Sequence, residues 1–139
     1  MIVPNSLLKE RVKKVENRLS EQGLKLLVVY SSGSSSGTGN RTHGYLRYLC
    51  DWDSLTAASV LVLRLGQEPV LLVPSSYFQL LARENMWFED IRVVPKARLG
   101  QEIASILQPL VSGNEKIGYI GQAETPVPVH DALFQGLAG

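Results

Sequence analysis

The most restrictive feature of this sequence is a basic amphipathic stretch that runs straight into an unbroken apolar one. Leu8, Val12, Val15 and Leu19 recur at spacings of four, three and four, one stripe of a helix, while Lys9, Arg11, Lys13, Lys14 and Glu16 face elsewhere. Asn5 or Ser6 is placed to cap that helix, and Gly23 supplies the left-handed residue that ends it. Leu26-Leu27-Val28-Val29-Tyr30 follows at once, continuously apolar and rich in β-formers, the pattern of a strand covered on both faces. A helix leading directly into a doubly covered strand points to an α/β fold. With 139 residues and 45% hydrophobic content, the chain is sized for one domain with a sizeable core.

Beyond that strand the pattern breaks. Ser31 opens and Gly44 closes a stretch without hydrophobic periodicity, its first half dominated by Ser and Gly. It reads as a long loop and as the most mobile interior segment. The β-branched and leucine-rich runs 59–65 and 69–73, separated by Gly66-Gln67-Glu68, predict a hairpin and therefore a mixed sheet. Ser75 or Ser76 caps a helix carrying Phe78, Leu81 and Ala82 inward, and residues 91–94 form a strand closed by Pro95. Leu99, Ile103, Ile106, Leu107 and Leu110 have helical spacing, with Pro109 at the frayed end. Residues 116–120 read as a last strand and 128–137 as a last helix with Pro128 in its first turn. One more strand near the long loop is left open.

Charge and cysteine usage narrow the function classes. Lys and Arg total 14 against 13 Asp and Glu, a net charge of +1 that provides no field for nucleic acid or an acidic membrane surface. The Lys-, Arg- and Glu-rich start has no apolar run of signal-peptide or membrane-span length, so a cytoplasmic location is the default expectation. Cys50, the one cysteine, builds neither an internal disulfide nor a thiolate metal cage and reads as a buried small apolar residue. The closing Gly136-Leu137-Ala138-Gly139 reads as a domain boundary.

Several chemical motifs can be weighed on their letters. Gly33-Ser34-Ser35-Ser36-Gly37 matches the serine-nucleophile pattern, with Asp90 and His130 downstream in hydrolase order. That chemistry needs a tight strand-to-helix turn, and Thr38-Gly39-Asn40-Arg41-Thr42 is no helix start. The same loop lacks the phosphate-loop lysine and the third glycine of a dinucleotide fingerprint, which leaves only an unspecific anion nest. His43 and His130 are the only histidines and have no second one at helical spacing, so a His-rich metal site is excluded. Asp51-Trp52-Asp53 lacks the third acid and the glycine of a calcium loop. Tyr45, Tyr48 and Trp52 cluster with Arg41 and Arg47, and core packing or a peptide-binding rim explains them better than base stacking does.

In order along the chain, these segments resemble the N-terminal domain of the creatinase/prolidase/aminopeptidase P family. Arg11-x-x-x-Val15-x-x-x-Leu19-x-x-x-Gly23 followed by Leu27-Val28-Val29 is similar to the way that domain begins. Arg47-Tyr48-Leu49-Cys50-Asp51-Trp52 resembles its aromatic-Leu-Thr/Ser-Gly-aromatic segment, with Cys50-Asp51 where a hydroxyl residue and glycine are usual. The hairpin around Gly66, then 87–93 and Lys116-Ile117-Gly118, continue the correspondence, and the serine-rich loop is longer than the family pattern.

The resemblance implies a single domain over residues 1–139 with a mixed sheet of about six strands flanked by helices, ribonuclease-H-like. It implies a separate pita-bread catalytic domain, absent from this chain, whose two divalent ions (manganese, cobalt or zinc) are held by two Asp, one His and two Glu and activate water. No residue here corresponds to those ligands, so the chain alone is expected to be inactive, with no cofactor of its own. The parent would cleave short Xaa-Pro peptides as a homodimer, with this domain partnering its own catalytic domain, supporting oligomerisation and restricting substrate access. Neither nucleic acid nor membrane is an expected partner. His43, Arg47, Tyr48 and Trp52 are the substrate-proximal candidates: Arg47 to pair with a peptide carboxylate, Trp52 to cover the proline face. On the competing reading Tyr48 and Trp52 are core and Arg47 is a solvated charge. The competing function is a stand-alone binding module for a small anion or peptide, held in the loop of residues 31–44.

Overall fold

The strand read from Leu26 onward lies inside the sheet, one position from its edge. In a computed structural model, which describes residues 3–35, 42–111 and 115–138, β1 (Leu26–Ser31) is buried along its whole length. It pairs antiparallel with β2 (Ser59–Arg64) and parallel with β5 (Gly118–Ile120), so that Val28 has Val62 on one side and Tyr119 on the other. β2 pairs antiparallel with β3 (Val70–Val73), which pairs parallel with β4 (Ile91–Val93). The order is β4-β3-β2-β1-β5, a mixed sheet in which β2 alone runs against the others.

Alternation of side chains along the strands divides the interior into two cores. Leu27, Val29, Leu61, Leu63, Leu71 and Val73 point to the face covered by α1 (Asn5–Glu21), α2 (His43–Cys50) and α3 (Ser76–Asn85). Leu26, Val28, Val60, Val62, Val70 and Leu72 point to the face covered by α4 (Leu99–Leu107) and α5 (Val127–Ala138). Each fully buried Val, Leu or Ile contributes about 1.5–3 kcal/mol of apolar burial, so the doubly covered strands dominate the stability. Helices α4 and α5 pack closely because position 100 is glycine: a Cβ there would lie 2.3 Å from the Val129 carbonyl oxygen.

The described residues form five strands where the resemblance implied about six. The place near the long loop that was left open for a strand is occupied by α2, because Leu46, Leu49 and Cys50 bury a face at spacings of three and four. The loop therefore closes at Thr42, before Gly44, and its residues 36–41 lie outside the described residues. At the start of α1 the N-cap position is Pro4, whose carbonyl accepts from the Leu7 and Leu8 amides at 3.0 and 3.2 Å, and not Asn5 or Ser6. Gly23 ends the helix as expected, at φ +73°. Ser75 caps α3 and Ala82 is buried, but Leu81 stays 36% exposed. Residues 108–110, around Pro109, turn out as a 3-10 turn that ends α4.

Candidate functional site

Helix α2 brings three of the four candidate residues together. His43 stands at its start, Arg47 and Tyr48 face solvent, and Leu46, Leu49 and Cys50 hold the opposite face in the core. The helix ends at Asp51, left-handed at φ 54°, a conformation Asp tolerates better than most residues. Tyr48 is 50% exposed; the Arg11 guanidinium lies 4.5 Å from its ring centroid and donates to its carbonyl at 2.9 Å. The Nδ1 of His43 is enclosed and has no hydrogen-bond partner among the described residues.

Trp52 is placed otherwise. Only 5% exposed, its ring meets Phe78 edge-on at 6.2 Å and its Nε1 donates to the Ser59 hydroxyl at 3.1 Å. Ser59 donates in turn to Ser54 at 3.0 Å, and Ser54 to the Ala57 carbonyl. The ring is thus fixed by the turn that follows α2 and has little surface left to cover a substrate.

Arg47 borders a cleft of about 380 Å3 whose lining also includes Asp51, Trp52, Asp53 and Leu55. Asp51 accepts from the Val3 amide at 3.1 Å. Asp53 accepts from the amides of Leu55 at 2.8 Å and Ser34 at 3.1 Å. Burial works to raise the Asp53 pKa, but these hydrogen bonds and the nearby Arg47 charge outweigh it and hold the carboxyl below the ordinary range. Arg47 thus shares the cleft with Asp51 and Asp53, and its charge acts on Asp53. Burial, with Asp51 adding to it, pushes the Cys50 thiol up to about 12, so it is no nucleophile.

The described part of the serine segment is tied down at both ends. Ser31 donates to the Thr42 carbonyl at 2.8 Å, and the Ser32 amide donates to the Thr42 hydroxyl at 2.8 Å. Glu124 draws both strands of the loop together, accepting from the Thr42 hydroxyl, the Thr42 amide at 3.3 Å and the Ser32 hydroxyl at 3.2 Å. Gly33 passes so near the following turn that a Cβ would lie 2.0 Å from the Leu55 carbonyl oxygen. The amides of Ser32, Ser34 and Ser35 are all given to protein acceptors, which leaves none of the three for an anion nest. Glu124, Ser59 and Ser54 carry no local motif, and only their long-range partners reveal them.

The serine-hydrolase order does not become a site. Asp90 is held by Arg92 at 2.9 and 3.0 Å just before β4, the edge strand opposite β5. His130 on α5 contacts Gln122 at 3.2 Å, Asp131 at 3.6 Å and the Phe134 ring. Among the described residues no group of three or more His, Cys, Asp or Glu could hold a metal ion, and no helix is long and apolar enough to cross a membrane.

Over residues 11–139 the sequence matches the Creatinase/Prolidase N-terminal domain family. Among solved structures it is similar to an Xaa-Pro aminopeptidase from Streptococcus pyogenes, with a TM-score of 0.69 and 20% identity, over 98% of this chain and 89% of that one. It is also similar to the N-terminal, creatinase/prolidase-like domain of a proposed metallopeptidase from Corynebacterium diphtheriae, with a TM-score of 0.60 and 12% identity, over 93% and 87% of the two chains. No curated protein matches the chain. At such identities the structural likeness establishes the fold.

Proposed function

Since the chain belongs to the Creatinase/Prolidase N-terminal domain family, we propose that it is the non-catalytic N-terminal domain of a cytoplasmic Xaa-Pro metallopeptidase. The family match over residues 11–139 carries this reading. In it the domain joins its own catalytic domain, contributes to the contact of a homodimer, and narrows the approach to the peptidase centre so that short Xaa-Pro peptides are preferred. In this reading manganese, cobalt or zinc belongs to the catalytic domain; among the described residues of this chain no group of three or more His, Cys, Asp or Glu could hold a metal ion.

The outer face of α2 is the part assigned to substrate. Arg47 pairs with the free carboxylate of a short peptide, exchanging part of its interaction with Asp53 for it, while Tyr48 gives an apolar wall and His43 closes the start of the helix. Trp52 enters as the residue that seats the turn after α2, because its ring is buried.

In the two-domain enzyme, removing this domain should abolish the dimer and admit longer Xaa-Pro peptides. Unchanged oligomeric state together with an unchanged length preference would refute the role. Arg47→Ala should lower kcat/KM for dipeptides by about 1–3 kcal/mol, the scale of a lost charge-assisted hydrogen bond. Wild-type kinetics for Arg47→Ala would remove α2 from the substrate path.

A further inference from the structure

β1, β3 and β4 run in one direction, and β2 starts at the end where they finish. From β3 the chain leaves towards α3, on the face it shares with α1, while from the neighbouring β4 it leaves towards α4, on the other face. Where two adjacent strands send their connections to opposite faces, the departing segments diverge and open a crevice at the carboxyl ends, the usual place for a small ligand in an open α/β sheet. A cavity of about 220 Å3 lies at that end. Tyr30 and Ser32 reach it from the end of β1, Thr56 and Ala58 from the approach to β2, Pro74 from beyond β3 and Val94 from beyond β4. Leu99 at the start of α4 and Val129 in the first turn of α5 close it on the side of the helices.

The lining is chemically divided. Ala58, Leu72, Val94, Leu99 and Val129 give it an apolar interior. Lys96 is the one charged residue among the described lining, and it takes part in none of the salt bridges of the described residues. Tyr30 is 5% exposed, and burial raises its pKa, so its hydroxyl stays protonated and able to donate. The Ser32 hydroxyl beside it is already given to Glu124 at 3.2 Å. That carboxylate behind Ser32 works against a dianion in the cavity, and a single lysine is little to hold one. A monoanion with a hydrocarbon body meets both halves, its carbon chain against the valines and leucines and its charge towards Lys96. An apolar cavity of about 150 Å3 is enough for a benzene-sized molecule, so the space is sufficient.

We propose that this cavity is a binding site for a small apolar monocarboxylate of about five to eight carbon atoms, its carboxylate paired with Lys96 and hydrogen-bonded by the hydroxyls of Tyr30 and Thr56. Its apolar walls belong to the core on the side of α4 and α5, across the sheet from α2. The site is therefore separate from the surface assigned to peptide substrate and does not depend on the peptidase reading.

The test titrates isovalerate into the chain while its backbone amide resonances are followed, with isovaleramide and inorganic phosphate as separate probes. Isovalerate should shift the amides of Thr56, Ala58, Lys96, Leu99 and Val129 in a saturable way, with a Kd on the order of 1 mM for a ligand of so few atoms. Isovaleramide, which has the same shape without the charge, should bind at least about tenfold more weakly, and phosphate should leave these amides in place. Lys96→Gln, a change at an exposed position, should weaken isovalerate about tenfold and leave isovaleramide as it was. Absence of saturation at these amides by about ten times that concentration would overturn the proposal. Equal affinity for the acid and its amide would do so too, as would wild-type binding by Lys96→Gln. Phosphate shifting the same amides as strongly as isovalerate would show a general anion contact in place of a carboxylate site, and would equally end it.

Discussion

Tyr48 and Trp52 stand about one helical turn apart in the sequence and end in opposite surroundings. The outer face of α2 leaves Tyr45, Arg47 and Tyr48 in solvent, with Arg11 as the contact that steadies Tyr48. The turn just beyond it sinks Trp52 among apolar side chains and fastens it through Ser59, Ser54 and Ala57. The difference is instructive because α2 has only eight residues and would not hold its shape alone. A short helix is able to present side chains to a partner when the segment after it is anchored on its own account.

The sharpest way to break this contrast is Trp52→Ala, which should cost about 3–5 kcal/mol of folding stability through the cavity it leaves. Denaturant titration reads it, and a loss below about 1 kcal/mol would mean that the turn is not the anchor. Gly33→Ala comes next at about 2–3 kcal/mol, since the new methyl collides with a backbone carbonyl that cannot swing aside as a side chain would. An unchanged melting curve there would show that the serine segment does not lie against the turn. Ser59→Ala should cost about 1–2 kcal/mol by leaving the indole N–H of Trp52 buried without its acceptor.

Asp53 ties the two regions together and sets a pH dependence. Its folded pKa lies below the unfolded value, so its contribution is full above the ordinary carboxylate range and is lost as pH falls through the lower, folded value. Acid titration of stability should therefore be shallower in Asp53→Asn than in the wild type; identical acid limbs would detach Asp53 from the anchor. The smallest effects belong to the outer face: Arg47→Ala and Tyr48→Ala should each change stability by no more than about 0.5 kcal/mol. A loss above about 1.5 kcal/mol for Tyr48→Ala would make that face structural and erase the contrast.

What could be seen in the sequence follows the range of the interactions involved. Helix α1, strand β1 and the hairpin of β2 and β3 announce themselves because burial imposes a period on their own residues. Helix α2 was hidden by Gly44 and by the β-forming Tyr45 and Tyr48, although Leu46, Leu49 and Cys50 carried its spacing. The candidate site was legible as a cluster of residue types, not as a surface. Nothing local distinguishes the exposed Tyr48 from the buried Trp52, because the partner that fixes Trp52 is supplied by the next strand. The Arg47–Asp53 relation was equally out of reach, since it depends on the left-handed bend at Asp51.

The carboxylate of Glu124 joins Ser32 to Thr42, yet it lies 92 and 82 residues further along the chain. A polypeptide is made from its N-terminus, so Ser32 and Thr42 lack this acceptor until Glu124 has left the ribosome. Products truncated before Glu124 should lack the carboxylate that joins Ser32 to Thr42, and their stability should be lower than that of chains that include it.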